Sequence, residues 1–226
     1  LKPIGNYNFK QHFKPIAIFF AMACATTIYV NLDSVMLGFL TTDADVGYYN
    51  AAVKIKNILV SIVTSLGTVL LPRSSYYVEK GMMDEFWKIT KKAFSFVFLL
   101  SLPLMTYFIL FAKEGIYFLS GEAYSGSIIP MQVIMPTLLF IGITNVLGIQ
   151  ILVPLGKEKI VLYSEITGAI VDIIINVILI PKYASTGAAI GTTIAEFFVL
   201  LVQYIALKNE VAYFFKKFHY GRVILG

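Results

Sequence analysis

Six stretches of the sequence are long and apolar enough to cross a lipid bilayer. A helix rises about 1.5 Å per residue, so about 20 apolar residues are needed to cross a hydrocarbon core about 30 Å thick. With 58% hydrophobic and only 14% charged residues, the chain would expose too much apolar surface in water. We therefore predict an all-α polytopic membrane protein, in which residues 1–226 form a single bundle of six transmembrane helices. The approximate spans are residues 16–40, 47–71, 93–112, 128–153, 160–181 and 186–207.

Two prolines fall inside predicted spans, Pro103 and Pro136. Proline lacks the N–H that an inner helical position requires, and its ring clashes with the preceding turn. We expect the third and fourth spans to bend at these two positions.

The basic residues are distributed unevenly between the two sets of connecting segments. One set carries 14 of the 18 lysines and arginines, and the alternate loops carry only Lys113 and Lys182. Basic residues favour the cytoplasmic side, so both ends of the chain are expected there, which an even number of spans permits. The 14 residues are Lys2, Lys10, Lys14, Arg73, Lys80, Lys88, Lys91, Lys92, Lys157, Lys159, Lys208, Lys216, Lys217 and Arg222.

The segment of residues 73–92 mixes aromatic and basic side chains between the second and third spans. This composition is typical of an amphipathic helix that lies on the inner membrane surface. A solvated loop is the alternative.

The sequence contains no pattern that is typical of a catalytic, cofactor or metal site. His12 and His219 are far apart and lie outside any ligand-like grouping of Cys, Asp or Glu. Lys157 lacks the upstream glycine and the following hydroxyl of a phosphate-binding loop. The basic residues do not cluster beside stacking aromatics, so nucleic acid is not an expected partner. We predict a protein that is not an enzyme and that uses no cofactor or metal.

An acid and a base within the first two spans lie at equal distance from the turn that joins them. Asp33 and Lys54 are centred on residues 43–44, so an antiparallel hairpin would place them at the same depth. Burying one charge in lipid is costly, and a partner of opposite charge offsets much of that cost. We predict an Asp33–Lys54 ion pair, which acts either in gating or only in locking the two helices together.

Lys54 also heads a polar stripe on the second span. At 100° per residue the members of the stripe project within about 60° of one another, whereas Lys56 points to nearly the opposite side. The stripe is therefore predicted to face a cavity. Its members are Lys54, Asn57, Ser61, Ser65 and Thr68.

The last two spans carry acidic residues at similar depth. Asp172 and Glu196 each lie about 12 residues from the turn near Tyr183, and Asn176 shares the face of Asp172. Two carboxylates at one level do not both ionise without a cation nearby. Asp172, Asn176 and Glu196 are therefore candidates for coupling to a proton or sodium gradient; the alternative is that each acid only hydrogen-bonds within its helix pair.

Seven stretches of the sequence form a combination that is more specific than any one of them. They are Leu32-Asp33-Ser34-Val35-Met36-Leu37-Gly38, Val46-Gly47-Tyr48-Tyr49-Asn50-Ala51-Ala52, Phe118-Leu119-Ser120-Gly121-Glu122-Ala123-Tyr124, Gly156-Lys157-Glu158-Lys159, Ile170-Val171-Asp172-Ile173-Ile174-Ile175-Asn176, Ile180-Pro181-Lys182-Tyr183 and Gly187-Ala188-Ala189-Ile190-Gly191-Thr192. Together they resemble polysaccharide flippases of the Wzx type, within the multidrug, oligosaccharidyl-lipid and polysaccharide exporter superfamily. The chain departs from the family's pattern at Asp172, where the family has Asn.

The resemblance implies one lobe of a two-lobe flippase in a bacterial cytoplasmic membrane. The chain would be the C-terminal half, and the N-terminal lobe would be missing from it. Such a protein moves a polyprenyl-diphosphate-linked oligosaccharide across the membrane by alternating access, among membrane lipids and alongside a polysaccharide polymerase and glycosyltransferases. The candidate substrate-binding residues are Lys54, Asn57, Ser61, Asn145 and Gln150.

Two alternatives remain open at this stage. One is a multidrug or cation antiporter, or a peptidoglycan-precursor flippase, of the same superfamily. The other is a membrane-embedded glycan polymerase or ligase, which would be expected to carry a large outer loop with catalytic arginines or histidines. The longest predicted outer loop here, residues 113–127, is short.

Overall fold

The computed structural model describes residues 9–216, with the side chains of residues 31–208 described throughout and those of residues 9–30 in part. Within this range the chain is helical and contains no strand, which confirms the prediction of an all-α membrane protein. A 3-10 helix, Glu122–Ser127, precedes α5, and a π-helical turn, Val146–Leu152, follows α6. The α-helices are α1 Phe9–Leu40, α2 Asp43–Glu79, α3 Met83–Leu110, α4 Ala112–Ser120, α5 Ile128–Ile134, α6 Thr137–Asn145 and α7 Glu158–Lys216.

The 59 residues of α7 form a hairpin of two arms rather than one rod. At Ala184 the backbone takes a φ of 46° and a ψ of −125°, far from helical values. Gly187 then packs against the backbone of Leu179, and Gly191 packs against Asn176. Because these pairs are centred on the same point of the chain, the first arm (residues 158–183) and the second arm (residues 185–216) run antiparallel.

The number of spans that can be counted from length and composition is smaller than the number predicted. Among the described residues, three helices qualify: Asp43–Glu79, Met83–Leu110 and Glu158–Lys208. A fourth span exists if Glu122–Ile134 and Thr137–Leu152, which are bent by 47° relative to each other, are taken together. The bend lies at Pro136, as predicted. The chain is a multi-pass membrane protein, and the full set of six spans stays a prediction.

The connection between α2 and α3 differs from the predicted surface helix over residues 73–92. Instead of a separate helix there, α2 continues through Pro72 to Glu79. A short turn follows, in which Gly81 has a φ of +69°, and α3 begins at Met83. The buried face of α2 continues in register past Pro72 as far as Ser74, and the placement of residues 73–92 on the inner membrane surface stays a prediction.

Two turns lie together at one end of the bundle. Thr42 caps α2: its hydroxyl accepts a hydrogen bond from the Asp45 backbone N–H at 3.3 Å, and Asp45 reaches back to the cap. Nearby, the ring of Tyr48 packs edge-on against Tyr124, in the segment between α4 and α5. This is the end predicted to face outward; that orientation stays a prediction, and the charges at Lys2 and Arg222 lie outside the described residues.

Candidate functional site

The inner face of α2 is buried along its whole length. Its buried side chains recur every three or four residues, which is one face of a helix. Most are apolar, yet a tyrosine and a lysine lie among them, and Lys56 is only 6% exposed. The sequence therefore buries a cation inside the bundle. The buried residues of this face are Tyr49, Ala52, Lys56, Leu59, Val63 and Gly67.

A buried carboxylate on α1 accepts hydrogen bonds from three helical segments. Asp33 is 2% exposed. Tyr49 of α2 donates its hydroxyl to Oδ2, and Thr192 of the second arm of α7 donates to the same oxygen at 2.8 Å. Asn176 of the first arm donates its amide to Oδ1 at 2.7 Å. Asp33 thus joins α1, α2 and both arms of α7 at one depth.

Beside Asp33 lie acceptor oxygens that receive no hydrogen bond. Asp172 is fully buried, and neither of its carboxylate oxygens accepts a hydrogen bond of ordinary geometry, although the side chains of Asp33 and Asn176 lie close enough to interact with it. The Oδ1 of Asn176 also lacks a hydrogen-bond donor. Both side chains point at Gly191, where an added Cβ would fall 3.2 Å from Asp172 Oδ1. Gly191 therefore provides the space that brings these oxygens together. A buried acceptor without a donor is costly, so this place favours a proton or a cation.

Lys56 faces the acidic residues from the side of α2. The carboxylates that act on its ammonium group are Glu196, Asp33 and Asp172, with Glu196 exerting the strongest effect. Half-buried Glu165, one to two turns from Asp172 on the first arm, in turn interacts with Glu196. We name Asp33, Asp172 and Glu196 together with Lys56 the acid cluster. With every group ionised it would carry three negative charges and one positive charge.

The opposite face of α2 carries the predicted polar stripe, and all five of its members are exposed. Their hydroxyl groups are partly occupied by their own helix: Ser61 donates to the carbonyl of Asn57 at 2.7 Å. Lipid offers no partner for the remaining polar groups. This face therefore requires water, cargo or another protein surface. The exposed residues are Lys54, Asn57, Ser61, Ser65 and Thr68.

Lys54 lies at the end of the stripe nearest the N-terminus of α2, where it lines a cavity of about 340 Å³. Polar groups of Asn50 and Ser120 and the ring of Tyr124 contribute to its walls. The hydroxyl of Ser34 donates to Asn50 at 2.9 Å, which ties α1 to the same rim. Cationic, amide, hydroxyl and aromatic groups thus share one partly open space.

The structure places Lys54 and Asp33 in different surroundings. Lys54 faces the cavity, whereas Lys56 is the lysine on which Asp33 acts. The predicted Asp33–Lys54 ion pair is corrected, because Lys54 lies on the exposed face of α2, opposite the buried face that contacts Asp33 through Tyr49. The signal that identifies Lys56 is its seven-residue spacing from Tyr49, in phase with the apolar positions.

Two further candidates lie inside the bundle rather than on the polar stripe. Gln150 is 1% exposed and Asn145 is half-buried. Both amides pack against Gly67 of α2, where a Cβ would fall 3.3 Å from Gln150 Nε2 and would collide with Asn145 Oδ1. The π-helical turn places Gln150 in the core, and the roles of both residues as cargo ligands stay predictions.

Sequence reasoning brought Asp172, Asn176 and Glu196 together as one group, and the structure places all three at the acid cluster. It assigned no role to Tyr49 or Lys56. In the described residues, no group of three or more His, Cys, Asp or Glu side chains is arranged to hold a metal ion.

The comparisons with known proteins agree with the sequence motifs. Residues 4–78 match the family model described as "Polysaccharide biosynthesis protein". A candidate O-antigen transporter of Shigella dysenteriae is 28% identical over 84% of this chain, and one of Escherichia coli K12 is 23% identical over 84% of this chain. The resemblance to polysaccharide flippases is confirmed.

The matched region is a part of each relative. The alignments cover 47% of the Shigella protein and 46% of the Escherichia protein. An uncharacterized membrane protein of Methanocaldococcus jannaschii is 30% identical over 80% of this chain, and 35% of that protein is covered. The chain thus spans less than half the length of the relatives it matches.

Proposed function

We propose that the chain is one lobe of a transporter that flips a polyprenyl-diphosphate-linked oligosaccharide across the bacterial cytoplasmic membrane by alternating access. The cargo would be a repeat unit for surface polysaccharide. The observation that carries the proposal is the exposed polar stripe of α2, which ends at Lys54 in a partly open cavity. The candidate O-antigen transporters among its relatives support the same role.

The polar stripe supports a transport path because of its length and its exposure. From Lys54 to Thr68 the helix rises through 14 residue steps, or about 21 Å at about 1.5 Å per residue. That is most of the thickness of a hydrocarbon core of about 30 Å. A polar face of this length is stable in a membrane only against water or against a second lobe, and a path between two lobes provides both.

Lys54 suits the diphosphate of the cargo. A diphosphate that leaves water loses strong hydration, and charge-assisted hydrogen bonds from an ammonium group replace part of it. Asn57 and Ser61, on the next two turns, present amide and hydroxyl groups that suit sugar hydroxyls. The proposed order along α2 is therefore diphosphate near the outer cavity and sugar along the stripe.

The acid cluster supports ion coupling within the same lobe. Asp172 and Asn176 hold buried oxygens that accept no hydrogen bond of ordinary geometry, and Asp33 joins α1, α2 and both arms of α7. Binding or release of a proton or a sodium ion would change the charge at the point where these helices meet. Such a change would bias one conformation over another.

A multidrug or cation antiporter is the second candidate, because the lobe contains a cluster of acids. Drug cations would need acids in the cavity, however, and here the acids are buried and the charged residue of the cavity is Lys54. A peptidoglycan precursor would suit Lys54 equally well, since it also carries a diphosphate. A glycan polymerase or ligase is less well supported, because the related proteins are named as transporters.

Reconstitution of the full-length protein tests the proposal. Proteoliposomes would contain a fluorescent polyprenyl-diphosphate oligosaccharide. A membrane-impermeant glycosidase would then measure the fraction of the oligosaccharide that has reached the opposite leaflet. We expect protein-dependent translocation that falls in the K54A variant. Translocation no faster than in empty liposomes would reject the proposal. Drug efflux without sugar translocation would favour the antiporter.

A further inference from the structure

The acid cluster contains a cation that belongs to the protein itself. Lys56 is almost completely buried, on the face of α2 that also carries Tyr49. Seven residues separate the two, so Lys56 lies about 10 Å further along the helix, toward the level of Glu196. Glu196 itself is four residues, or about 6 Å, beyond Thr192 on the second arm of α7. The ammonium group therefore enters the cluster from its inner end.

Charged groups reach Lys56 from three sides, and the remaining neighbours are uncharged. Asp33 comes from α1, Asp172 from the first arm of α7 and Glu196 from the second arm, with Glu165 acting on Glu196. The segments α5, α6 and the π-helical turn contain no charged residue, and α3 contains none between residues 93 and 110. The net charge of the cluster is therefore set by these acids, by Lys56 and by the phenol of Tyr49.

One positive charge in this place restricts what else the cluster can bind. A proton on Asp172 removes a charge and also supplies a donor to a neighbouring oxygen. A metal cation at the free oxygens of Asp172 and Asn176 would instead bring a second full charge close to the ammonium group. The carboxylates would attract that cation, but the ammonium group repels it, and in a buried site this like-charge repulsion is strong because the effective dielectric constant is about 20 rather than 80.

We propose that Lys56 is a tethered cation that makes the acid cluster a proton site and excludes sodium from it. The inference rests on the ion-coupling role proposed above. With Lys56 neutralised, the carboxylate of Asp33, the free oxygens of Asp172 and Asn176, and the hydroxyl of Thr192 form a set of hard oxygen ligands. The chain then holds a monovalent cation in place of the ammonium group.

Sodium-dependent stability of the purified full-length protein tests this assignment. Thermal unfolding would be followed in detergent, in sodium chloride and in choline chloride at equal ionic strength. A ligand that binds only the folded state raises the unfolding temperature with its concentration. We expect no difference between the two salts for the wild type. The K56M variant should gain a sodium-specific increase, with an apparent sodium affinity at least about tenfold tighter than that of the wild type.

Four further variants make the result specific. K56R keeps the charge and should behave like the wild type, whereas K56M/D172N should lose the gained response. K54M removes the neighbouring lysine on the opposite face and should gain no sodium response. K56Q repeats the test if K56M does not fold.

Two results would overturn the assignment: a wild type stabilised by sodium as strongly as K56M, or folded K56M and K56Q that both ignore sodium. This measurement is independent of cargo. Sugar translocation no faster than in empty liposomes would therefore reject the proposed flippase function and would leave the proposed role of Lys56 in the cluster unchanged.

Discussion

Lys54 and Lys56 are two residues apart on α2, yet one faces an open cavity and the other lies within a buried acid cluster. At about 100° per residue, two positions rotate the side chain by about 200°. The same helix therefore presents a cation to each of two compartments. One suits a cargo anion, and the other is part of the apparatus proposed to couple transport to an ion.

Replacement of Lys54 by Ala should reduce polysaccharide export without reducing the amount of protein in the membrane. A hydrogen bond to a charged group contributes about 1.5–3 kcal/mol, so a fall of at least about tenfold in export rate is expected. Surface polysaccharide would be quantified in a strain that depends on the full-length protein. Lys88, exposed near the start of α3, provides the control, and K88A should export normally. Normal export by K54A would remove Lys54 from the path.

Replacement of Tyr49 by Phe should destabilise the fold. The change deletes one donor to the Asp33 carboxylate and leaves the ring in place, at an expected cost of about 1.5–3 kcal/mol. Thermal unfolding in detergent measures the effect. Tyr107 is 54% exposed on α3, and Y107F is the matched control with an expected change near zero. Equal unfolding temperatures for Y49F and the wild type would show that Thr192 and Asn176 suffice to hold Asp33.

The hairpin of α7 should depend on Gly187. A Cβ there would fall 2.6 Å from the carbonyl carbon of Leu179 and 2.9 Å from the backbone nitrogen of Ile180, and a backbone cannot rotate away as a side chain can. G187A is therefore expected to lower the unfolding temperature and the yield of folded protein strongly. Gly38 has no atom within 4 Å of the corresponding position, so G38A should be neutral. Equal stability of the two variants would contradict the close packing of the two arms.

The sequence predicted the helical fold and the grouping of the acids, because both depend on spacing along the chain. Equal distance from a turn correctly placed Asp172 and Glu196 in one cluster. Spacing alone could not show which face of α2 turns inward, since the helix carries polar side chains on both of its faces. That choice depends on the hydrogen bonds that Thr192 makes with Tyr49 and Asp33, which lie 143 and 159 residues before it in the chain.

The continuation of α2 beyond the predicted span was also hidden from the sequence. Pro72 is a common signal for the end of a helix, yet α2 runs through it to Glu79. Tertiary packing of this last part, where Ser74 is buried, outweighs the lost hydrogen bond. The burial of Gln150 was not predicted for a related reason, since the π-helical turn shifts the register of the side chains that follow α6.

Cysteine labelling of α2 in native membranes tests most directly whether its polar stripe lines a water-filled path. Ser61 and Leu99 are both exposed on the chain, but only Ser61 belongs to the polar stripe. In a cysteine-free full-length protein, with Cys24 replaced by Ser, a charged maleimide should label S61C rapidly and leave L99C, which faces lipid, unlabelled. Failure to label S61C, or equal labelling at both positions, would contradict the account.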